Sequence, residues 1–239
     1  RVFIRWLEDE RRSTAIADVH RADLREFLAH QLEVNAASTA VTRYKGLRQL
    51  YKFAVEEGDV GWSPMDGIAQ PKLVEQSPDV LSHEELAAVL KVTDGEGFAD
   101  RRDHAILRLF LDTGIRRAEL VGLTLNDVDL EDGVAYVLGK GGKHRAVAFG
   151  AKTTRALDRY LRERERSEYQ HLPQFFIGNR GTLTGNGVAQ LLRRRGRQAG
   201  IDGLHPHRLR HTFAHEWLAD GGAEGDLMRL AGWSSRAMV

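Results

Sequence analysis

The segment QPKLVEQSPDVL, from Gln70 to Leu81, most constrains what this chain can fold into, because it interrupts helical patterns on both of its sides. It contains two prolines, charges of both signs and no periodic apolar positions, which is typical of an extended linker. The 239 residues are enough for two ordinary domains. We therefore predict one domain over residues 1–70, a linker over residues 71–81 and a second domain over residues 82–239.

The first predicted domain reads as a set of short amphipathic helices, because apolar side chains recur at three- and four-residue steps. The third of these helices places one apolar face on Val41, Tyr44, Leu47, Leu50, Tyr51 and Ala54. Its other face carries the cations Arg43, Lys45, Arg48 and Lys52. Such a face is either simply solvated or a contact surface for a polyanion, and the helix alone does not decide between the two.

The second predicted domain is also mainly helical, with one clear β-hairpin. Ser82 and Glu85 form a capping box that begins a helix, and another helix ends at Thr113-Gly114. Two short β-branched runs within VAYVLGKGGKHRAVAF flank Gly141-Gly142, the pattern of a hairpin. The fold class predicted from the residues is therefore mainly α, with a small β-hairpin or sheet in the larger of two domains.

Composition excludes several classes of protein. Cysteine is absent, so disulfides and thiolate chemistry are excluded, which fits a reducing cytoplasm. No stretch is apolar and long enough to cross a bilayer, and the charged start RVFIRWLEDERR is no secretory signal. The net charge of +1 conceals two basic segments, 133–160 and 190–215, each with a single acidic residue. Such an uneven distribution is a plausible footprint for a polyanion.

Individual candidate residues are weak signals. His207 and Arg210 are three residues apart and share a helix face, but residues of this kind at a helix start are more often caps or surface groups. Arg116 follows a glycine turn, as in many helix–helix junctions, and Lys140 and Lys143 at a hairpin tip are commonly present for solubility.

The combination is specific. The motifs TGIRRAELVGLTLNDVDL, GKGGKHRAV, HPHRLRHTFAHEWL and LAGW occur in this order, and together they resemble the tyrosine recombinases, which include phage integrases and Xer-type site-specific recombinases. The resemblance covers residues 1–239. It implies a two-domain, C-shaped clamp made of a helical core-binding domain (1–70) and a tyrosine-recombinase catalytic domain (82–239). A phage or mobile-element integrase is favoured over a housekeeping enzyme.

The resemblance also implies roles for five residues. Arg116 and Arg210 correspond to the two catalytic arginines, His207 to the histidine of the HxxR motif, and Lys140 to the catalytic lysine. Trp233 stands where many members have histidine and some have tryptophan. Arginine forks suit a phosphate that gains charge during in-line attack, and the lysine would protonate the departing 5′-oxygen. Neither a metal ion nor another cofactor is implied.

The family's nucleophile is a tyrosine that forms a 3′-phosphotyrosyl link, and it is expected shortly after Trp233. No tyrosine follows Trp233 before Val239, and none of the chain's tyrosines, Tyr44, Tyr51, Tyr136, Tyr160 and Tyr169, matches the motif. We therefore expect a fragment whose nucleophile lies beyond Val239 and which does not cleave DNA by itself. The whole protein is expected to act as a homotetramer on paired sites and the fragment to be a monomer.

The expected partner is duplex DNA with inverted-repeat core sites, in the cytoplasm of a bacterial host and associated with the nucleoid. The residues expected to contact DNA are Arg43, Lys45, Arg48, Lys52, Lys143, Arg193, Arg194, Arg195 and Arg197. Phosphate contacts of this kind make binding strongly dependent on salt.

Two alternative functions would place the chain in other classes of protein. The chain could be a non-catalytic DNA-binding protein of recombinase ancestry, or a metal-dependent hydrolase that uses His211 and His215, which are four residues apart. The second alternative is weakened because the HExxH pattern is absent. GKGGKH is not a phosphate-binding P-loop, because His144 stands where serine or threonine is required and the segment joins two strands.

Overall fold

The computed structural model describes residues 1–73, 78–139, 142 and 144–233. The chain divides into two compact units, Arg1–Ser77 and Pro78–Val239, and the division falls inside the segment predicted as a linker. Leu81, at the end of that segment, is 3% exposed, and its N–H donates to Thr212 Oγ1 at 2.9 Å. The last residues assigned to the linker therefore pack into the second unit. No helix within the described ranges has the length and apolar character needed to cross a membrane.

The first unit is built from three helices packed around one apolar cluster. They are α1 (Val2–Asp9), α2 (Arg21–Val34) and α3 (Ala37–Glu56). Leu24, Phe27 and Tyr51 lie in the cluster, and the hydroxyl of Tyr44 donates to the Ile68 carbonyl at 2.8 Å. Leu50 was expected on the buried face of α3, but it is 45% exposed because it lies at the edge of the apolar stripe.

The second unit contains seven helices and two small antiparallel sheets among the described residues. The helices are α4 (His83–Lys91), α5 (Phe98–Thr113), α6 (Arg117–Gly122), α7 (Ala151–Arg164), α8 (Gly185–Gln198), α9 (Pro206–Ala219) and α10 (Glu224–Ala231). The strands are β1 (Val128–Asp129), β2 (Val134–Leu138), β3 (His144–Ala148), β4 (Ile177–Gly178) and β5 (Gly181–Thr182). The mainly helical fold class with a small β-hairpin is confirmed.

Helix α5 is the centre of this unit. Ala105, Ile106, Leu107, Leu109 and Phe110 are all fully buried, because α7 and α9 pack on different sides of the helix. The helix ends at Gly114, whose φ of 55° is in the left-handed region. A Cβ at Gly114 would come within 2.4 Å of the Phe213 ring, so α9 can approach the end of α5 only because this residue is glycine.

The predicted hairpin is present as β2 and β3, in the order β1-β2-β3, with Val134 opposite Ala148 and Leu138 opposite His144. The side chains of Ala135, Val137 and Val147 face the core. The residues Lys140, Gly141 and Lys143 lie outside the described residues. Strand β1 was not predicted, because a strand of two residues is too short to show a period.

The capping box of α4 forms as expected. The Glu85 N–H donates to Ser82 Oγ at 3.2 Å, and the Ser82 N–H donates to the Glu85 carboxylate at 2.9 Å. Pro206 occupies the first turn of α9, where a missing N–H costs nothing.

A buried carboxylate ties α5 to α8. Asp103 is fully buried, and its two oxygens accept hydrogen bonds from Arg102, Arg194 and Arg195 at 2.8–3.0 Å. Arg195 also donates to Asp100 at 2.6 Å and is 7% exposed at its side chain. The expectation that Arg195 contacts DNA is therefore corrected, because its guanidinium is used inside the fold.

We expect Asp103→Ala to lower the free energy of unfolding of the second unit by about 3 to 5 kcal/mol, because buried Arg102 loses its carboxylate partner and buried Arg195 keeps only Asp100. Urea denaturation measures the change. The control is Glu163→Ala, which removes an exposed ion pair with Arg166 and should cost about 1 kcal/mol or less. Equal losses in the two variants would contradict the role assigned to Asp103.

Candidate active site

A cavity of about 330 Å³ in the second unit is lined by residues from three distant parts of the chain. Arg116 comes from the start of α6, Arg193 from α8, and His207 and Arg210 from α9. The ionisable residues of its lining are Arg116, Arg117, Arg193, His205, His207 and Arg210. No carboxylate of the described residues lines the cavity, so its electrostatic character suits an anion.

Arg116 is held in place by Glu119, which lies three residues later in the chain. It is the N-cap of α6, and its backbone N–H donates to Glu119 at 2.8 Å while its Nη1 donates to the other oxygen of the same carboxylate at 3.0 Å. Its Nη2 donates to the Gly232 carbonyl. The side chain is 36% exposed, so part of the guanidinium is open to the cavity.

Glu119 connects this arginine to the hairpin. Arg145, on β3, donates to both Glu119 oxygens, at 2.6 and 2.8 Å. Burial raises the pKa of Glu119, but the hydrogen bonds from Arg145 and from the Arg116 backbone outweigh it, so the pKa lies below its ordinary value. Glu119 is therefore ionised at neutral pH and fixes two guanidinium groups at once.

Arg210 is the most deeply buried cation of the cavity, with 5% of the residue exposed. Its guanidinium donates to the carbonyls of Gly114 and Ala231 and lies 5.0 Å from the centre of the Trp233 ring. Burial lowers its pKa to about 10, assisted by repulsion from Arg116. Arg210 therefore stays charged at neutral pH, although it has no carboxylate of its own to neutralise it within the described ranges.

His207 lies in the first turn of α9, beside His205. The His205 Nδ1 accepts the Arg208 N–H at 3.1 Å and so caps the helix. Burial lowers the pKa of His207, and repulsion from His205, His211 and Arg210 lowers it further. His207 is thus mainly neutral above about pH 6.5 unless an anion enters the cavity.

The end of α10 is surrounded by arginines. Three consecutive carbonyls, those of Leu230, Ala231 and Gly232, accept from Arg145, Arg210 and Arg116 in that order. Carbonyls at a helix C-terminus lack partners within the helix and carry partial negative charge, so cations stabilise them.

Several predicted residues lie elsewhere. Arg194 and Arg197, together with Arg193, line a separate cavity of about 440 Å³ beside Gly187. Lys140 and Lys143 lie outside the described residues. In the first unit, Lys45, Arg48 and Lys52 line a cavity of about 820 Å³ that includes Trp62, whereas Arg43 is half-buried and not part of that lining.

Sequence reasoning missed three contributors to the cavity and its support. Arg117 and His205 line the cavity, and their only sequence signal was that they lie within the motifs that contain Arg116 and His207. Arg145 was counted only within a basic segment, although its pairing with Glu119 depends on folding that brings positions 26 residues apart together.

The hypothesis of a metal-dependent hydrolase finds no cluster to support it. Within residues 1–73, 78–139, 142 and 144–233, no three His, Cys, Asp or Glu side chains stand close enough to hold a metal ion. Exposed His215 lies 3.6 Å from one oxygen of Glu216, and His83 lies 3.8 Å from the other, but these three side chains are not close enough together to hold a metal ion.

Comparisons with known proteins agree on one family. Residues 79–239 match the model of the phage integrase family. Tyrosine recombinase XerC of Oceanobacillus iheyensis is 34% identical over 98% of this chain and 79% of its own length. Tyrosine recombinase XerD of Shewanella oneidensis is 32% identical over 92% of this chain and 75% of its own length.

Solved structures share the fold. The Tn1549 transposon integrase in complex with circular intermediate DNA has a TM-score of 0.80 at 20% identity, covering 98% of this chain and 84% of that one. A lambda integrase dimer bound to a core site has a TM-score of 0.77 at 16% identity, covering 99% of this chain and 84% of that one.

We expect sulfate to bind this cavity more tightly as the pH falls from about 7.5 to about 5.5, because the anion stabilises the imidazolium of His207. The pKa of His207 is lowered in the free protein and would rise in the complex, so the complex holds more protons and acid favours binding. Calorimetric titration of sulfate at several pH values measures the trend.

The matched variants are His207→Asn, which should flatten the pH dependence, and His215→Asn, which changes an exposed histidine outside the cavity and should leave it intact. A pH dependence that survives unchanged in His207→Asn would contradict the assignment.

Proposed function

Because this chain belongs to the phage integrase family, which its XerC and XerD relatives identify as tyrosine recombinases, we propose that its second unit binds the scissile phosphate of duplex DNA during site-specific recombination. The observation that carries the proposal is the convergence of Arg116, His207 and Arg210 on one cavity without a carboxylate in its described lining. DNA as the partner is supported by solved relatives whose descriptions name bound DNA.

The two arginines act as fixed positive charges around the phosphate. In-line attack on a phosphodiester concentrates negative charge on the non-bridging oxygens, and preorganised donors stabilise that charge without rearranging. Arg116 is fixed by Glu119, and Arg210 by two backbone carbonyls, so neither must be reoriented when the DNA arrives. The N-terminus of α9 adds a partial positive charge close to His207.

The remaining groups have supporting roles in the proposal. His207 holds a phosphate oxygen or moves a proton at the nucleophile, and its lowered pKa keeps it able to accept that proton at neutral pH. Trp233 packs on the Arg210 guanidinium and so limits its orientations. Lys140, by resemblance to the family, protonates the departing 5′-oxygen.

The nucleophile is the group that residues 1–239 do not supply at the expected position. Tyr160 and Tyr51 are core residues, and burial raises the pKa of each to about 12, which is unsuitable for an attacking phenol. Tyr44 is buried and bonded to the Ile68 carbonyl. We therefore propose that the family's 3′-phosphotyrosyl chemistry needs a tyrosine other than these, and that this chain alone binds DNA without cleaving it.

The proposal also covers DNA contacts of the first unit and the oligomeric state on DNA. Lys45, Arg48 and Lys52 on α3 have side chains in one cavity of the first unit and would contact DNA phosphates there. Inverted-repeat core sites and a homotetramer on paired sites follow from resemblance to the family, and the DNA-bound dimer described for lambda integrase supports assembly on DNA.

We expect orthovanadate to bind the complex with a nicked duplex that ends in free 3′- and 5′-hydroxyls more tightly than phosphate does, because vanadium can take the trigonal bipyramidal geometry of in-line transfer with the 5′-hydroxyl and a water, in place of the tyrosine, at the apical positions. Arg210→Ala should weaken vanadate binding by about 10² or more, since each preorganised donor contributes about that much to stabilising the transition state. Competition titrations on the DNA complex measure both affinities.

The control variant is Arg162→Ala, an exposed arginine paired with Asp158 far along α7. It should behave as wild type. Similar losses of phosphate and vanadate affinity in Arg210→Ala would indicate simple ground-state binding and contradict the catalytic role.

We expect residues 1–239 to retain duplex DNA and to form no covalent adduct with a nicked suicide substrate, because no tyrosine matches the nucleophile's position. Denaturing electrophoresis separates a covalent adduct from free chain, and gel shift reports binding. A covalent adduct mapped to any of the five tyrosines would contradict this part of the proposal, and loss of DNA binding would contradict the whole of it.

A further inference from the structure

A second basic cavity lies between α4, α5 and α7 of the second unit. Its volume is about 590 Å³, and it shares no lining residue with the active-site cavity. One wall carries Arg101, His104 and Arg108 of α5, and the opposite wall carries Lys152, Arg155 and Arg159 of α7. Lys91 at the end of α4 adds a further cation, and we call this set the α5–α7 groove. Its single acidic lining residue is Asp94.

The cations of the α5–α7 groove have no carboxylate partner among the described residues, in contrast to the neighbouring arginines. On α7, Arg162 pairs with Asp158 at 2.9 Å, and just beyond the end of α7, Arg166 pairs with Glu163 at 2.6 Å. Among the described residues, the one side-chain hydrogen bond made by the arginines and lysines of the groove runs from Arg108 Nε to His104 Nε2 at 3.4 Å. A concentration of uncompensated positive charge is therefore confined to this side of α7.

The basic side chains of the groove form two rows, one along α5 and one along α7. Arg101, His104 and Arg108 stand at steps of three and four residues on α5, and Lys152, Arg155 and Arg159 repeat that spacing on α7. At a rise of 1.5 Å per residue, each row extends over about 10 Å. A ligand that uses both rows must carry several anionic groups spread over a comparable length.

His104 is half-buried, and its pKa responds to the charges in the groove. Its Nδ1 lies 3.0 Å from Thr93 Oγ1, and burial lowers its pKa, with further repulsion from Arg108 and Arg101 and an opposing attraction from Asp94. An anion placed between the two rows would offset that repulsion.

The lining favours a phosphate backbone over an acidic protein surface. Protein interfaces are usually anchored by a few aromatic or large apolar side chains that fill pockets. The groove offers only Ala87, Leu90 and Ala156 besides its charged residues. Four of its cations are arginines, whose planar forks match phosphate oxygens in pairs.

We propose that the α5–α7 groove binds the backbone phosphates of a second DNA segment, distinct from the segment whose phosphate enters the active-site cavity. Binding there is independent of sequence, because the groove presents charge and no set of donors and acceptors suited to base edges. The site lets one chain hold two DNA segments at once.

The direct test is capture of a second duplex. Residues 1–239 are first saturated with an immobilised duplex, and a second, fluorescent duplex of unrelated sequence is then titrated over a range of salt concentrations. We expect capture by the wild-type chain. The variant Lys152→Gln/Arg155→Gln/Arg159→Gln should capture the second duplex more weakly, with the salt slope reduced by about 0.9 for each phosphate contact removed.

The matched control is Arg162→Gln/Arg166→Gln/Arg180→Gln, which removes the same charge from exposed positions outside the groove. It should capture the second duplex as wild type does. Binding of the first duplex should stay within a few-fold in both variants, which separates this result from failure of the active-site proposal. Equal capture by the groove variant and the control variant would overturn the proposal.

An NMR titration and a competition experiment identify the ligand of the groove. NMR titration of His104 should show its pKa rising when duplex DNA is added to the Arg210→Ala chain, in which the active-site cavity is impaired. A rise with inorganic phosphate but no capture of a second duplex would overturn the assignment to DNA. Equal competition by poly-glutamate at matched charge would overturn the assignment to phosphate.

Discussion

The buried guanidinium of Arg210 is the constraint on which the candidate active site depends. A charge with 5% of its residue exposed has lost most of its hydration, and here the carbonyls of Gly114 and Ala231 and the face of Trp233 replace it only in part. The fall of its pKa to about 10 reports that deficit. An anion in the cavity would replace the lost hydration of the Arg210 guanidinium. The free energy that burial of this cation costs in the free protein would then be recovered on binding, which would increase the affinity for phosphate.

The rest of the unit is arranged so that this buried charge can exist. Gly114 ends α5 and lets Phe213 of α9 approach closely, which brings Arg210 to the Gly114 carbonyl. The last carbonyls of α10 accept from Arg210, Arg116 and Arg145. The position of α10 is thus tied to Arg116 and Arg210, two guanidinium groups that line the active-site cavity.

The sequence patterns located the main helices and the hairpin, and the family resemblance located the two arginines, but neither showed how these arginines are held. Local rules sufficed for the capping box at Ser82, the end of α5 at Thr113-Gly114 and the hairpin, because each depends on neighbours within a few residues. Four short motifs sufficed for the family. Arg195 was misjudged because a run of arginines looks uniform in sequence, whereas folding turns one member inward to Asp103. Arg145 was overlooked because its partner lies 26 positions away.

We propose that Arg116 and Arg210 bind one and the same backbone phosphate. A crystal structure of residues 1–239 with a duplex that carries a nick at the cleavage position would show where the phosphates lie. We expect one backbone phosphate within hydrogen-bond distance of both guanidinium groups and of His207. A duplex bound to the second unit with its phosphates elsewhere, and with the two arginines bonded only to carbonyls and to Glu119, would show that they do not share a phosphate.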